Sequence, residues 1–132
     1  NRFSYDDKLE FTMVSLVNKE RISRGFSVLS LDPKLREIAR AHSADMFKRG
    51  YFSHFTPEGY DVAFRARVAG VTDFLVLGEN LAFAPSLELV HNGLMNSPAH
   101  RANILSPDYH KIGIGIVNGD VYGLMVTQVF EN

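Results

Sequence analysis

Lys111-Ile112-Gly113-Ile114-Gly115-Ile116-Val117 alternates a bulky residue with a bare one, Asn118-Gly119 follows, and Val121 to Phe130 is again rich in strand-forming residues. Alternation at every second position is the period of a half-buried strand, and Asn-Gly is a strong two-residue hairpin turn, so the stretch predicts an antiparallel hairpin. The isoleucines fill one face. Gly113 and Gly115 leave the other face without side chains, which lets a helix or a ligand approach the backbone closely.

Working back from the hairpin, the remaining segments read as helices around one further strand. Leu9, Met13, Leu16 and Val17 recur at helical spacing between Tyr5 and about Arg24, with Gly25 as the stop. Phe26 to Leu31 reads as a link to Asp32-Pro33, an N-cap followed by proline at the first helical position, which opens a second helix running to Gly50. Leu35, Ile38, Ala39, His42 and Met46 are its buried stripe. A third, more polar helix is expected over 61–69, closed by Gly70, and a strand over 77–83. A fourth helix runs from Leu87 to Met95 with Leu87, Val90 and Leu94 inward, ended by Ser97-Pro98, with a helical turn resuming at His100. Helices before, between and around an antiparallel sheet make an α+β fold.

The chain has 132 residues, 45% of them hydrophobic, which suits one domain spanning 1–132 with a real core. Lys and Arg number 14 against 15 Asp and Glu, and the basic residues are scattered, so nucleic acid is not an expected partner. There is no cysteine, which removes a thiol nucleophile, a thiolate zinc site and any disulfide framework. No apolar run approaches the ~20 residues of a membrane span; Phe74 to Leu77 is only a fragment. A Gly-x-Ser-x-Gly elbow, a His-Glu-x-x-His helix and a phosphate loop are all missing. Gly113, Gly115 and Gly119 only imitate a dinucleotide fingerprint, because they sit inside a hairpin with no helix N-terminus to face a pyrophosphate.

Chemistry gathers in three short phrases: Phe52-Ser53-His54, Gly78-Glu79-Asn80-Leu81-Ala82 and Ser97-Pro98-Ala99-His100-Arg101. Taken singly, each has a plain explanation. His54 is a loop histidine that can lie in water, Glu79 an edge-strand acid bonded to backbone, and His100 a helix-capping residue. Together they supply two imidazoles and a carboxylate from distant parts of the chain, and Glu79, in a mostly apolar strand, needs a partner if it is buried.

These phrases, with Ile112-Gly113-Ile114-Gly115-Ile116 and Thr127-Gln128-Val129-Phe130 after them, resemble the bacterial CAP domains (SCP-like, pathogenesis-related 1 type). The resemblance covers almost the whole chain, from Leu16-Val17-Asn18 and Arg24-Gly25 through Leu35, Ala39, His42-Ser43 and Asp45-Met46 to the last strand. It implies a three-layer α-β-α sandwich with a central antiparallel sheet. It also implies a cavity lined by His54, Glu79 and His100, a set that suits a divalent metal such as zinc with one position open to water. Asn96, Ser97, Arg101 and Asn103 fall beside that cavity, with Arg101 and Asn103 expected to brace His100. Many eukaryotic members carry a second glutamate where this chain has Asn96-Ser97, and a tryptophan where it has Leu94, so the metal set is reduced to three ligands. His42 reads as a hydrogen-bonded core histidine, and His91 and His110 as surface or supporting residues.

Two functions follow from the resemblance. One is a secreted or surface-displayed binding module, monomeric, whose cavity or groove takes a small molecule, a lipid or a partner protein. The other is a zinc-dependent peptidase or esterase using the same cavity, although Glu79 cannot easily be both ligand and general base. A signal peptide or lipid-bearing linker upstream of Asn1 goes with either, because the chain does not begin with Met.

Overall fold

The computed structural model describes residues 3–132. In chain order the elements are β1 (Ser4–Tyr5), α1 (Asp7–Ile22), β2 (Ser30–Leu31), α2 (Pro33–Arg49), α3 (Val62–Val68), β3 (Leu77–Ala84), α4 (Leu87–Met95), α5 (Pro98–Ile104), β4 (Lys111–Asn118) and β5 (Leu124–Glu131). The sheet order is β1-β4-β5-β3, with β3–β5 and β4–β5 antiparallel and β2 adding a short parallel pairing to β4. The α+β reading holds, and the arrangement is a sandwich of three layers.

Strand alternation assigns the two faces. Ile112, Ile114 and Ile116 point to one side, where they pack with Met13 and Val17 of α1, Val90 and Leu94 of α4 and Ile104 of α5. On the other side α2 lies directly on the bare face of β4. A Cβ built on Gly113 would stand 2.2 Å from the Leu35 carbonyl carbon, and one on Gly115 would stand 2.2 Å from the Arg40 nitrogen. The two glycines therefore admit a helix, and Leu35, Ile38 and Ala39 join Val129 and Ala66 in the core beneath α3.

Local signals set most boundaries. Asp32 caps α2 by accepting from the amides of Lys34 and Leu35, Pro33 starts it, and Gly50, in the left-handed region at φ 71°, ends it. Helix α1 begins at Asp7 rather than Tyr5, because Asp6 takes the cap and Tyr5 pairs with Val117 in β1. The stretch 26–31, expected as a plain link, contributes β2. Helix α5 starts at Pro98, earlier than expected at His100, since Ser97 is already extended and proline is pre-set for the first helical position.

The hairpin turn is the main departure. Asn118-Gly119 does not form a two-residue turn, which would need a positive φ at both central residues. Asn118 is the last residue of β4, and its side chain donates to Asp6 and accepts from the Asp120 amide; Gly119 has φ −91°. The reversal is instead a 3₁₀ turn over Asp120–Tyr122, closed by the Gly119 amide donating to the Gly123 carbonyl, with Asp120 at φ 59° and Gly123 at φ 99°. The returning strand therefore starts at Leu124, not Val121.

One charged side chain is wholly enclosed. Arg21 is 0% exposed and donates to the carbonyls of Ser27, Ile104 and Ser106 at 2.8 Å each and Tyr109 at 3.4 Å, tying the end of α1 to the segment after α5.

Candidate functional site

Glu79 points from β3 toward the α2–α3 layer, and its side chain is 2% exposed. Burial of a carboxylate requires partners, and it has two. Arg65, projecting from α3, donates from Nη2 to Oε1 at 3.1 Å and Oε2 at 2.9 Å, while His54 Nδ1 lies 2.9 Å from Oε1. The same Arg65 nitrogen donates to the His54 carbonyl at 3.0 Å. One guanidinium thus holds both the strand and the loop between α2 and α3, across 51–61. His54 remains half-exposed, and its bond to Glu79 raises its proton affinity above the ordinary imidazole value.

His100 is anchored elsewhere. Its carbonyl accepts from Asn80 Nδ2 at 3.0 Å, and Asn80, next to Glu79 on the strand, faces the opposite side of the sheet, where it also donates to Gln128 and accepts from Asn103. The His100 ring pairs through Nδ1 with Ser97 Oγ at 2.8 Å. Ser97 occupies the N-cap of α5 yet makes no cap bond, its hydroxyl being used on the ring. Burial, with a smaller push from His54, lowers the proton affinity of His100.

The structure therefore brings His54 and Glu79 into contact, places His100 on a separate network and adds Arg65. Ser97 braces His100, the role expected of Arg101 and Asn103. Asn103 instead supports Asn80, Arg101 is exposed, and so is Asn96. As a metal site the donors fit poorly: both oxygens of the one carboxylate face a guanidinium, and among the described residues no group of three or more His, Cys, Asp or Glu is arranged to hold a metal ion.

His42 is a buried, hydrogen-bonded histidine, with Nε2 2.8 Å from the Ser53 carbonyl; burial first, and then Arg65, lowers its proton affinity. His91, read as a surface or supporting residue, is 5% exposed and pairs with Glu20 of α1 at 2.8 Å, an interaction that holds the Glu20 carboxyl below the ordinary range. His110 is exposed.

A groove of about 600 Å³ runs between α2 and α3, lined by Ile38, Ala41, His42, Tyr60, Phe64 and Arg65, among others. Tyr60 and Phe64 stack with ring centroids 4.3 Å apart, and both are 42% exposed. A second hollow of about 500 Å³ lies on the far side of the same loop, against Met46, Phe52, Phe83 and Tyr122. The groove went unread in the sequence, and so did Arg65. The available signal was helical phase: Val62, Ala66 and Ala69 form the inward stripe of α3, and Arg65 stands beside it while Arg67 does not.

The CAP model, described as the cysteine-rich secretory protein family, matches residues 14–130. The uncharacterized protein YkwD of Bacillus subtilis is 37% identical over 122 residues, covering 92% of this chain and 46% of that protein. The uncharacterized membrane protein YlbC of the same organism is 32% identical, covering 81% and 31%. The chain thus spans less than half the length of these curated relatives. Among solved structures, an extracellular SCP-domain protein from Bacillus anthracis superposes with a TM-score of 0.85 at 29% identity over 96% of this chain and 41% of its own. An outer surface protein of Borrelia burgdorferi does so with a TM-score of 0.90 at 20% identity, covering 99% and 98%. The sheet with its bare glycine face, the strand carrying Glu79 and the match over most of the sequence agree, and the chain, though free of cysteine, belongs to the cysteine-rich secretory protein (CAP) family.

Proposed function

We propose that this domain is an extracellular binding module that takes an apolar small molecule in the groove between α2 and α3, with the Arg65–Glu79–His54 cluster holding the loop that forms the groove's rim. The observation that carries the reading is the groove itself. Its volume of about 600 Å³ falls in the range of small-molecule sites, and its walls combine apolar and aromatic residues such as Ile38, Ala41 and Phe64 with polar ones such as His42, Asp45 and Arg65. Tyr60 and Phe64, stacked and partly exposed, form part of its wall, an apolar surface of the kind that marks interaction sites. Placement outside the cell draws support from the B. anthracis and B. burgdorferi proteins, described as extracellular and as an outer surface protein. Hydrolysis is less well supported, because Glu79, the one carboxylate of the cluster, is committed to Arg65 and His54 and is not free to act as the general base.

The test is fluorescence titration with N-phenyl-1-naphthylamine, which brightens in apolar surroundings. Wild type should bind saturably. Ala41→Trp, which fills the groove from an exposed position on α2, should weaken binding at least about tenfold without changing the melting temperature. Absence of saturable binding, or equal binding by the variant, would remove the reading.

A further inference from the structure

Strand β3 ends the sheet, and half of its outer edge has nothing to bond to. The Asn132 amide donates to the Val76 carbonyl, so in the unbroken register of 77–84 against β5 the residues in phase with Val76, namely Gly78, Asn80, Ala82 and Ala84, turn their backbone groups inward. Leu77, Glu79, Leu81 and Phe83 therefore turn theirs outward. Near Glu79 that edge is occupied: Asn103 Nδ2 donates to the Glu79 carbonyl at 3.4 Å, and Arg65 and His54 bond to the Glu79 side chain. The amides and carbonyls of Leu81 and Phe83 have no partner among the described residues.

Exposed edges are normally blunted by a charge, a proline or a bulge. Leu81-Ala82-Phe83-Ala84 has none of these. At the sheet's other margin β4 is guarded, Ile116 by Glu10 and the Asp6 amide and Ile112 by the Asp32 amide. Backbone donors and acceptors at strand spacing, on an apolar edge without such a guard, are complementary to another extended backbone.

The surroundings specify the side chains. Leu81 packs with Ala44, Met46 and Met125, so Phe83, two residues on, points to the same α2 side, where it walls the hollow of about 500 Å³ with Phe47, Tyr51, Phe52 and Tyr122. In an antiparallel addition, the residues that bond to Leu81 and Phe83 send their side chains to that same face, beside the hollow. Those residues should be apolar, and the ones between them polar. A second copy of the chain supplies no such side chains. Its own Leu81 is 5% exposed, its own Phe83 walls its own hollow, and two free edge residues alone fall far short of the about 800 Å² per partner that a specific dimer buries. We infer that the β3 edge at Leu81 and Phe83 accepts an extended peptide of another protein, added antiparallel as a further strand, with alternate apolar side chains entering the second hollow. This site is separate from the groove between α2 and α3 and does not depend on the ligand proposed there.

The experiment is amide hydrogen exchange followed by NMR, with the soluble peptide acetyl-Lys-Val-Thr-Phe-Thr-Val-Lys-amide as the probe. In the free protein the amides of Leu81 and Phe83 should exchange at least about tenfold faster than the ladder amides of Asn80 and Ala82, and saturating peptide should slow them at least about tenfold. Methylating the peptide's Val and Phe nitrogens, which face β3, should abolish that protection, whereas methylating its Thr nitrogens should leave it. Phe83→Pro removes one outward N–H without touching the ladder and should weaken binding about tenfold more than Phe83→Ala, which removes only the ring. Slow exchange at Leu81 and Phe83 in the free protein, no slowing on addition of peptide, or equal effects of the two methylated peptides would overturn the inference. Protection that grows with protein concentration in the absence of peptide would overturn it in favour of a second copy. The wild-type series decides the matter even where the proline variant does not fold.

Discussion

Replacing Arg65 with methionine keeps much of the side chain's length and apolar stem while removing the guanidinium that faces Glu79. Arg65 and Glu79 are 13% and 2% exposed at their side chains, with bonds of 2.9 and 3.1 Å, so solvent does little to soften the loss. Stripping one partner from a buried pair costs about 3–5 kcal/mol because the remaining charge is stranded. His54 still reaches one oxygen, which puts the expected cost near the lower end, about 3 kcal/mol. For a domain of this size that is a fall of roughly 10 °C in melting temperature. The double variant Arg65→Met/Glu79→Met removes both charges and should recover about 2 kcal/mol of that loss, the sign of a coupled pair. Urea unfolding followed by far-UV circular dichroism measures both, as the chain has no tryptophan to report by fluorescence. A single variant within about 1 kcal/mol of wild type, or a double variant as unstable as the sum of its singles, would refute the claim that Arg65 holds the buried carboxylate.

Arg21→Met should cost about 3 kcal/mol or more in the same assay, since it strands the carbonyls of Ser27, Ile104 and Ser106; a loss under about 1 kcal/mol would contradict the role given to it. Titration of the imidazole protons by NMR should place His54 above 6.5 and His42 and His100 below it. The raised value means that His54 adds stability below pH 6.5 and loses it as pH rises through its folded value. The lowered values mean that His42 and His100 add stability above pH 6.5 and lose it as pH falls through theirs; the reverse ordering would refute the pairings described. Zinc should neither raise the melting temperature nor bind by calorimetry, because Glu79 faces Arg65. Uptake at one site, abolished in His100→Ala, would reinstate the three-residue metal centre.

What the sequence made legible was local. Asp32-Pro33 and Gly50 bound α2 because cap and proline chemistry acts within a turn, and Gly113 and Gly115 announced a close approach because a missing side chain has one main structural use. His54 and Glu79 were found together only through their place in a recognised pattern. The rest depended on distant partners. Asn118-Gly119 reads as a tight turn until Asp6, far away in sequence, engages the Asn118 side chain. His91 reads equally as a surface or a supporting residue until Glu20 is brought to it across α1 and α4. His100 makes no hydrogen bond to Glu79 because its ring is taken by Ser97 and its carbonyl by Asn80, which faces the other side of the strand from Glu79, and the sequence does not say which of those partners α5 will meet. Arg65 and Arg67 look alike in sequence, and only the phase of α3 against the core distinguishes them.

The groove between α2 and α3 is tested most directly by following backbone amide resonances during addition of 1-decanol. Saturable shifts concentrated in 37–45 of α2 and 60–69 around α3 are the expected result. Shifts gathered instead around Phe83 and Tyr122 or around His100, or none at all, would contradict the account.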